Sequence, residues 1–194
     1  MISTKNPLVL VGPGSAADSI WEILENKYTL IGVVGKIPPK ITLRSENIFT
    51  TDDEFLTIFK QEKSNKKNLT IFFNVGINMG KLKNIVKRYS VLDLLNCNVV
   101  HPNSTISKSA IIGIGNYIGP NVTIGAGSII GDHNWLAAHA NVDHHNIIGS
   151  FNLIGPGTMF SGNCSIGERN IIGAGSSFLN RVNLGDSNII EIGS

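Results

Sequence analysis

The sequence predicts a small α/β unit followed by a β-solenoid, and three observations support this fold class. An apolar residue occupies every sixth position without interruption from Ile106 to Ile190. A glycine followed three residues later by an asparagine recurs every eighteen residues through the same segment. The first ninety residues instead alternate short apolar runs with candidate helices, which is typical of a parallel sheet. The recurring pairs are Gly113/Asn116, Gly131/Asn134, Gly149/Asn152, Gly167/Asn170 and Gly185/Asn188.

A period of six residues favours extended structure over helix. Six is a multiple of two, so each six-residue unit can point the same side chain inward, whereas a helical repeat would distribute these residues around its circumference. Three units make one coil of eighteen residues. The residue four positions after each apolar residue is mostly small or asparagine, as a tight corner requires. These residues are Ala110, Asn116, Val122, Ser128, Asn134, Ala140, Asn146, Asn152, Thr158, Cys164, Asn170 and Ser176.

Two further features of the repeat lead to structural expectations. Coils stack at about 4.8 Å, so we expect the recurring asparagines to form a hydrogen-bonded ladder along one corner. Asn98 lies one period before the first of them and could begin the ladder. Glycine often follows the apolar residue directly, as at Gly113 and Gly125, which suits either a position with little room or an unusual φ.

The first unit begins with an apolar strand that ends in a glycine turn. Residues 8–12 form the strand, the turn reads Gly12-Pro13-Gly14-Ser15, and a candidate helix follows through Leu24. A strand, a glycine turn and a helix form the phosphate-binding start of nucleotide-binding folds. The signal is weak, because a spaced third glycine is absent and Gly35-Lys36 replaces the acidic residue that usually ends the second strand. A structural turn and a ligand-binding loop are equally compatible with it.

The remaining elements of this unit follow from apolar patterning and complete a parallel α/β sheet. We predict strands over 29–34 and 69–75 and helices over 53–60 and 81–89. The sequence therefore predicts two domains, residues 1–92 and 93–194.

Composition excludes several classes of function. A net charge of +2 with 15% charged residues lacks the basic excess of nucleic-acid-binding proteins. No apolar stretch reaches eighteen residues and the first residues do not resemble a leader peptide, so we expect a cytoplasmic protein that does not insert into membranes. Cys97 and Cys164 are too few for a disulfide framework and lack the spacing of a metal or redox motif.

Three segments resemble a known family, the sialic-acid O-acetyltransferases and UDP-amino-sugar N-acetyltransferases. They are FFNVGIN (72–78), NVVHPNSTIS (98–107) and ANVDHHNIIGSFNLIGPGTMFSGNCSIG (140–167), of which the last is the most specific. The resemblance covers nearly the whole chain. It implies a Rossmann-like domain that binds a UDP-sugar, followed by a left-handed parallel β-helix of hexapeptide repeats. It further implies a homotrimer with acetyl-CoA in the groove between neighbouring subunits.

The resemblance also implies a set of catalytic residues. The reaction would move an acetyl group from acetyl-CoA to an amine or hydroxyl of a nucleotide-linked amino sugar or a sialic-acid-like sugar, without an acyl-enzyme. His144 matches the family's general base. His145 stands where the family usually has a carboxylate that supports the base, and Asp143, which precedes His144, could substitute for it only if the corner lets it fold back.

Two groups of binding residues follow from the same resemblance. Leu153 replaces a coil histidine that contacts the thioester region in the family, and Ile192 and Gly193 stand in its small, glycine-rich segment. The coenzyme-binding candidates are Leu153, Gly155, Gly162, Ala174, Ile192 and Gly193. The candidates for binding the sugar nucleotide are Gly12, Gly14, Ser15, Lys36, Gly76 and Asn78, with Asn74 nearby.

An alternative of a different class is a catalytically weak or inactive relative that acts as a trimeric binding or structural module. Its support is the absence of the carboxylate after His144. A metal enzyme is not expected, because His133, His139 and His145 are spaced by six and so lie on three different faces of one coil. We interpret His133 and His139 as exposed surface residues. The sequence leaves the sugar, and the choice between N- and O-acetylation, open.

Overall fold

The structure is a computed structural model that describes residues 5–38, 40–43, 45, 47–61, 69–75 and 79–194. The chain divides into two compact units, Met1–Cys97 and Asn98–Ser194. This division lies beyond the predicted boundary at residues 92 and 93, because a short strand, Leu95–Asn96, still pairs with the sheet of the first unit. Among the described residues, no helix has the length and apolar character needed to cross a membrane.

The first unit is a parallel sheet with helices between its strands. Its strands within the described residues are β1 Asn6–Val11, β2 Tyr28–Val34, β3 Ile48–Phe49, β4 Thr70–Phe73 and β5 Leu95–Asn96. They form one sheet in the order β3-β2-β1-β4-β5, and every pairing is parallel. The two-residue strands β3 and β5 were not predicted, because two residues carry no periodicity. The helices are α1 Ala17–Leu24, α2 Asp52–Gln61 and α3 Met79–Tyr89, followed by a 3₁₀ turn, Ser90–Leu92.

The core of this unit explains its continuous apolar runs. Leu8, Leu10 and Phe72 are fully buried in the central strands, and Ile20 of α1 packs among the buried residues. Strands of a parallel sheet that is covered on both faces read as unbroken apolar segments rather than as alternating ones. The sheet therefore directs the carboxyl ends of β1, β2 and β4 toward one edge, where a ligand can bind.

The second unit consists of two-residue parallel strands that recur every six residues in three sheets, here called the first, second and third faces. The first face contains β6 Val99–Val100, β9 Tyr117–Ile118, β12 Trp135–Leu136, β15 Leu153–Ile154, β18 Ile171–Ile172 and β21 Ile189–Ile190. The second contains β7 Thr105–Ile106, β10 Thr123–Ile124, β13 Asn141–Val142, β16 Met159–Phe160 and β19 Ser177–Phe178. The third contains β8 Ile111–Ile112, β11 Ile129–Ile130, β14 Ile147–Ile148, β17 Ser165–Ile166 and β20 Asn183–Leu184. This arrangement fits a left-handed β-helix.

The packing of the solenoid confirms the interpretation of the repeat. Paired strands are one coil apart, as in Ile129 with Ile147, and the second residue of each strand points inward. Ile124, Ile148, Ile166 and Ile172 are at most 2% exposed. The corner residues four positions later, such as Ser128 and Thr158, are also buried.

The asparagine ladder is present and begins at Asn98. The Oδ1 atom of each asparagine accepts a hydrogen bond from the backbone N–H of the next one, eighteen residues on, at 2.8 Å. Several side-chain Nδ2 groups donate in turn to a backbone carbonyl of the following coil, as Asn152 does to Gly167 at 2.9 Å. The ladder thus satisfies backbone groups that a buried corner would otherwise leave unpaired.

Glycine and left-handed backbone fall at different positions of the repeat. A Cβ at Gly113 would lie 2.1 Å from the Oδ1 atom of Asp132 and 2.8 Å from the backbone of Gly131, so lack of room requires glycine at this position. Positive φ occurs instead three residues after each inward apolar residue, at every sixth position from Gly115 to Gly193. Among the residues at these corners are His133, His139 and His145.

His133 does not lie on the surface, contrary to the expectation from the sequence. It is buried, its ring stacks on Phe151 with centroids 5.2 Å apart, and it covers Gly115, where a Cβ would approach its Nδ1 atom to 2.3 Å. His139 is exposed, as expected. Both residues have positive φ, and the difference lies in their neighbours one coil away: His133 lies between Gly115 and the ring of Phe151, whereas His139 lies between Asn121 and Gly157.

Candidate functional site

The three predicted catalytic residues lie together at one corner of the solenoid. Asp143, His144 and His145 connect β13 on the second face to β14 on the third face, and all three are exposed. We call this segment the histidine corner. His145 occupies the left-handed position with φ of 55°. The backbone is tied to the preceding coil, because the N–H of His145 donates to the carbonyl of Ala126 at 2.8 Å.

Each histidine ring packs against a glycine of a neighbouring coil. A Cβ at Gly162 would lie 2.4 Å from Cε1 and 2.6 Å from Nε2 of His144, and a Cβ at Gly127 would lie 2.8 Å from Cδ2 of His145. The coil on either side therefore has room for the two rings only because it carries glycine at these places. Gly162 was among the predicted residues, assigned to coenzyme binding. Gly127 was missed, although it lies one coil before His145.

The two rings contact each other through their Nδ1 atoms. These atoms are 3.1 Å apart, and the ring planes meet at 77°. The carboxylate of Asp143 does not take this role: its Oδ1 accepts a hydrogen bond from the backbone N–H of His144 at 2.8 Å. The Nε2 atom of His144 has no hydrogen-bond partner within the described part of the chain. The ring thus has one nitrogen held within the protein and the other available to a substrate.

Four predicted coenzyme-binding residues lie at a different corner, between the first and second faces. Gly155, Ala174, Ile192 and Gly193 occupy three successive coils there, and the N–H of Gly193 donates to the carbonyl of Ala174 at 2.9 Å. A Cβ at Gly155 would lie 2.7 Å from the backbone nitrogen of Ala174. We call this the small-residue corner.

Small side chains keep the small-residue corner open. At the left-handed positions Gly157 and Gly175, a Cβ would meet no atom within 4 Å. Leu153 lies just before this corner, on the outer side of the first face, and is partly exposed. Within one chain the predicted coenzyme-binding residues are therefore divided between two corners, with Gly162 at the histidine corner.

The first unit has a cavity of about 310 Å³ at the carboxyl ends of its strands. Its walls include Gly12 after β1, Gly35 after β2 and Arg88 of α3. Asp52 and Asp53, at the start of α2, also line it. The remaining lining residues are Val11, Val34, Thr50, Thr51, Val75, Lys81 and Ile85.

Charged side chains define one wall of this cavity. Arg88 forms ion pairs with both Asp52 and Asp53. The hydroxyl of the buried Tyr89 donates to Asp52 at 2.8 Å, and burial, together with this carboxylate, raises the pKa of the Tyr89 phenol. Asp52 is therefore held by two partners, while Asp53 remains mostly exposed.

The glycine turn of the first unit packs tightly against the end of β4. Gly12 has φ of +86°, and a Cβ there would lie 2.2 Å from the backbone oxygen of Asn74, so the turn requires glycine. Asn74 is 5% exposed, and its Nδ2 atom has no hydrogen-bond partner in the described structure. This donor lies 3.6 Å from the place that a Cβ would occupy on Gly14. Within the described residues, a buried donor without an acceptor thus lies beside the turn.

The repeat matches a known family model. Residues 147–180 match the model described as bacterial transferase hexapeptide, six repeats. Over these residues the solenoid is similar to the hexapeptide-repeat transferases. No curated protein sequence matches the chain.

Three solved structures share the fold of this chain over most of its length. The acetyltransferase domain of PglB from Neisseria gonorrhoeae FA1090, in complex with acetyl coenzyme A, is 23% identical, with a TM-score of 0.82 over 97% of this chain and 89% of that one. A histidine-to-alanine mutant of GDP-perosamine N-acetyl transferase from Caulobacter crescentus, in complex with CoA and GDP-perosamine, is 25% identical, with a TM-score of 0.82 over 96% of this chain and 86% of that one. WeeI from Acinetobacter baumannii AYE is 13% identical, with a TM-score of 0.64 over 91% and 93%.

The structure places only some of the predicted sugar-nucleotide residues at the cavity of the first unit. Of the predicted sugar-nucleotide residues, Gly12 lines the cavity, while Gly14, Ser15 and Lys36 are not among its lining residues. Gly76 and Asn78 lie outside the described residues.

The charged wall formed by Asp52, Asp53, Lys81 and Arg88 was not predicted from the sequence. The acidic pair at the start of a predicted helix was its only signal. Among the described residues, no group of three or more His, Cys, Asp or Glu side chains could hold a metal ion.

Proposed function

We propose that this protein transfers an acetyl group from acetyl-CoA to an amine or hydroxyl of a nucleotide-linked sugar, with His144 as the general base. The observation that carries the proposal is the exposed imidazole of His144, whose ring is fixed against Gly162 and whose Nε2 atom is available. It lies on a hexapeptide-repeat solenoid whose structural neighbours contain acetyl coenzyme A, or CoA with GDP-perosamine.

The chemistry needs one proton acceptor that later becomes a donor. The sugar amine attacks the thioester carbonyl, the C–N bond forms, and the C–S bond to the CoA thiolate breaks. Nε2 of His144 accepts the proton that the amine loses and then returns it to the thiolate. Imidazole suits both steps because it exchanges a proton near neutral pH. Direct attack requires no acyl-enzyme.

The small-residue corner supports a proposal for the acetyl-CoA site. Gly155, Ala174 and Gly193, with Leu153 and Ile192 beside them, form a strip where the pantetheine chain can approach the backbone closely. This strip and the histidine corner are different corners of one chain. A site that uses both therefore joins the histidine corner of one subunit to the small-residue corner of another, which supports a homotrimer.

An apolar stripe on the third face also supports assembly. The outward residues Ile111, Ile129 and Ile147 are 63%, 41% and 53% exposed and lie one above another on successive coils. A neighbouring subunit would remove this surface from water. We expect sedimentation at micromolar concentration to show a trimer, and a monomer would contradict both the assembly and the shared site.

The first unit is the proposed Rossmann-like site for the sugar nucleotide. Its strand order reverses at β1, and ligands of open α/β sheets bind at such a reversal. Gly12 of the glycine turn lines the cavity there, with Asn74 buried beside it. Asp52 and Asp53 supply the acidic groups that the end of β2 lacks. We expect calorimetry with UDP- and GDP-linked amino sugars to detect binding, and no heat at millimolar ligand would remove this role.

Kinetics of His144→Ala test the catalytic proposal. Loss of a general base typically lowers the rate by about 10²–10⁴-fold, and the melting temperature should change little because the side chain is exposed. His139→Ala is the matched control, since His139 is also an exposed corner residue with positive φ. An unchanged rate in His144→Ala would contradict the assignment. If the wild type binds acetyl-CoA but acetylates no sugar in a panel, the alternative, a trimeric binding or structural module, is supported.

A further inference from the structure

The histidine corner contains an imidazole pair in which only one tautomer is compatible with the proposed function. The Nδ1 atoms of His144 and His145 are 3.1 Å apart, which is a hydrogen-bonding distance. A hydrogen bond between two neutral rings requires one Nδ1 to carry a proton and the other to lack one. Each arrangement fixes the remaining nitrogen of both rings, since a neutral imidazole carries a single N–H.

We propose that His145 is a positioning residue whose Nδ1 accepts a hydrogen bond from the Nδ1–H of His144. This inference rests on the proposed function, because a base that acts through Nε2 must have its own proton on Nδ1. The acceptor nitrogen of His145 then places the second proton of the pair on its Nε2 atom. The opposite arrangement would put a proton on His144 Nε2 and block it as a base.

The hydrogen bond between the rings is compatible with proton transfer at the other nitrogen of His144. When His144 Nε2 accepts the substrate proton, its Nδ1–H still donates to His145, so the hydrogen bond persists through the reaction.

The surroundings of the pair add little charge. Asp143 lies beside it, with its carboxylate on the backbone N–H of His144. Lys108 and Arg181 lie at the same corner of the solenoid. Each is two coils away from the histidine pair, with one coil in between. The adjacent coils contribute uncharged groups to this corner, and the one thiol, that of Cys164, is buried in the core. Those corner residues are Ala126, Gly127, Gly162 and Asn163.

The backbone enforces this contact independently of the side chains' own preferences. Gly127 has φ of +69°, and the ring of His145 occupies the space of its missing Cβ, while the ring of His144 occupies the corresponding space at Gly162. Both rings are thus held between coils whose spacing is set by the strand ladders. Among the described residues, the hydrogen-bond partner of the His144 ring is thus another imidazole rather than a carboxylate.

Nitrogen-15 NMR of the full-length, histidine-labelled protein tests the tautomers directly. Signals are assigned with His144→Ala and His145→Ala. We expect His144 to carry its proton on Nδ1 and His145 on Nε2 in the neutral pair. A proton on His144 Nε2, with Nδ1 as the acceptor, overturns the inference. The measurement needs no turnover, so it stands or fails separately from the acetyltransferase assignment.

Substitutions at His145 give a kinetic test that distinguishes an acceptor from a structural role. The Oδ1 atom of asparagine occupies nearly the place of Nδ1, and asparagine tolerates positive φ, so we expect His145→Asn to retain kcat within about threefold. His145→Ala has no acceptor, and kcat should fall on the order of tenfold, the equivalent of about one hydrogen bond. Equal rates for the two variants at equal melting temperature would overturn the proposal.

His145→Asp completes the series through the pH profile. An anion beside the imidazole favours its protonated form, so the acidic limb of the kcat profile should move to higher pH, and kcat on the alkaline side should rise as the base becomes stronger. His145→Asn should leave the limb near its wild-type position. If the acidic limb of the kcat profile stays at its wild-type pH in His145→Asp, residue 145 does not influence the protonation of His144.

Discussion

The two candidate sites of this protein are held in place by different means. At the histidine corner, each ring packs against a glycine of the neighbouring coil, Gly162 or Gly127, and the strand ladders fix the spacing. In the cavity of the first unit, side chains hold one another, as Arg88 does with Asp52 and Asp53. A site on a solenoid is therefore sensitive to the size of its backbone neighbours, whereas a site on the α/β sheet is sensitive to its charged partners.

The largest expected effect is the loss of stability when a charge is placed at an inward position of the repeat. The same charge at an outward position is the comparison. Ile148 is 1% exposed and Met159, an outward residue, is 53% exposed. Ile148→Asp buries an unpaired charge and should lower the free energy of unfolding by more than about 4 kcal/mol, enough to unfold the solenoid. Met159→Asp should leave far-UV circular dichroism and the melting temperature nearly unchanged. A folded Ile148→Asp protein would show that a charge is tolerated at an inward position as well as at an outward one.

Gly162→Ala tests the backbone contact at the catalytic corner. The added methyl would lie 2.4 Å from the ring of His144, so the ring must move, and a displacement of about 1 Å can lower kcat roughly 10²-fold. Gly185→Ala is the matched control, since a Cβ at Gly185 meets no atom within 4 Å. Similar rates for the two variants would show that the glycine does not position the base.

Asn152→Ala tests how much the ladder contributes to the solenoid. Its Oδ1 accepts from the backbone N–H of Asn170 at 2.8 Å, and its Nδ2 donates to Gly167 at 2.9 Å. Leaving such buried groups unpaired should cost about 2–4 kcal/mol in denaturant unfolding. Asn183→Ala, on an exposed site of the third face, should change stability by less than about 0.5 kcal/mol. Equal losses would mean that the ladder is not what stabilises the corner.

Arg88→Met tests contacts between charged side chains in the first unit, in contrast to the contacts with glycine and backbone groups tested in the solenoid. The ion pairs of Arg88 are partly exposed, so their loss should lower stability by less than about 1 kcal/mol. Binding of a UDP- or GDP-linked sugar should weaken about tenfold if the charged wall faces the ligand. Lys87→Met, on an exposed site of the same helix, should leave calorimetric affinity unchanged. Unaltered affinity in Arg88→Met would remove the charged wall from the binding site.

The smallest expected effect is a pH dependence from His133. Burial lowers its pKa below the ordinary value of 6.5, against an opposing contribution from Asp132. Below pH 6.5 the unfolded chain binds a proton that the folded chain resists, so stability falls as pH decreases, by at most about 1.4 kcal/mol per pH unit. His133→Asn should flatten this slope, whereas His139→Asn should not. A slope that persists in His133→Asn would assign it to another group.

The extent to which the sequence predicts each region follows from the same difference. In the solenoid, residues eighteen apart are neighbours in space, so inward residues such as Ile148 and the ladder from Asn98 could be assigned from spacing alone. The α/β elements were also predicted, apart from two short strands. The charged wall of the cavity was missed, because Asp53 and Arg88 meet only when α2 and α3 pack together.

By itself, the sequence determined the coil length, the inward and outward residues, and the adjacency of Asp143, His144 and His145, because a strict period fixes a strand register and covalent neighbours stay together. The tertiary structure decided what each corner side chain contacts. At these left-handed corners, His133 lies against Phe151 and Gly115, and His145 Nδ1 lies 3.1 Å from His144 Nδ1. No periodicity specifies these contacts, since they depend on the free volume that glycine leaves on the coils above and below.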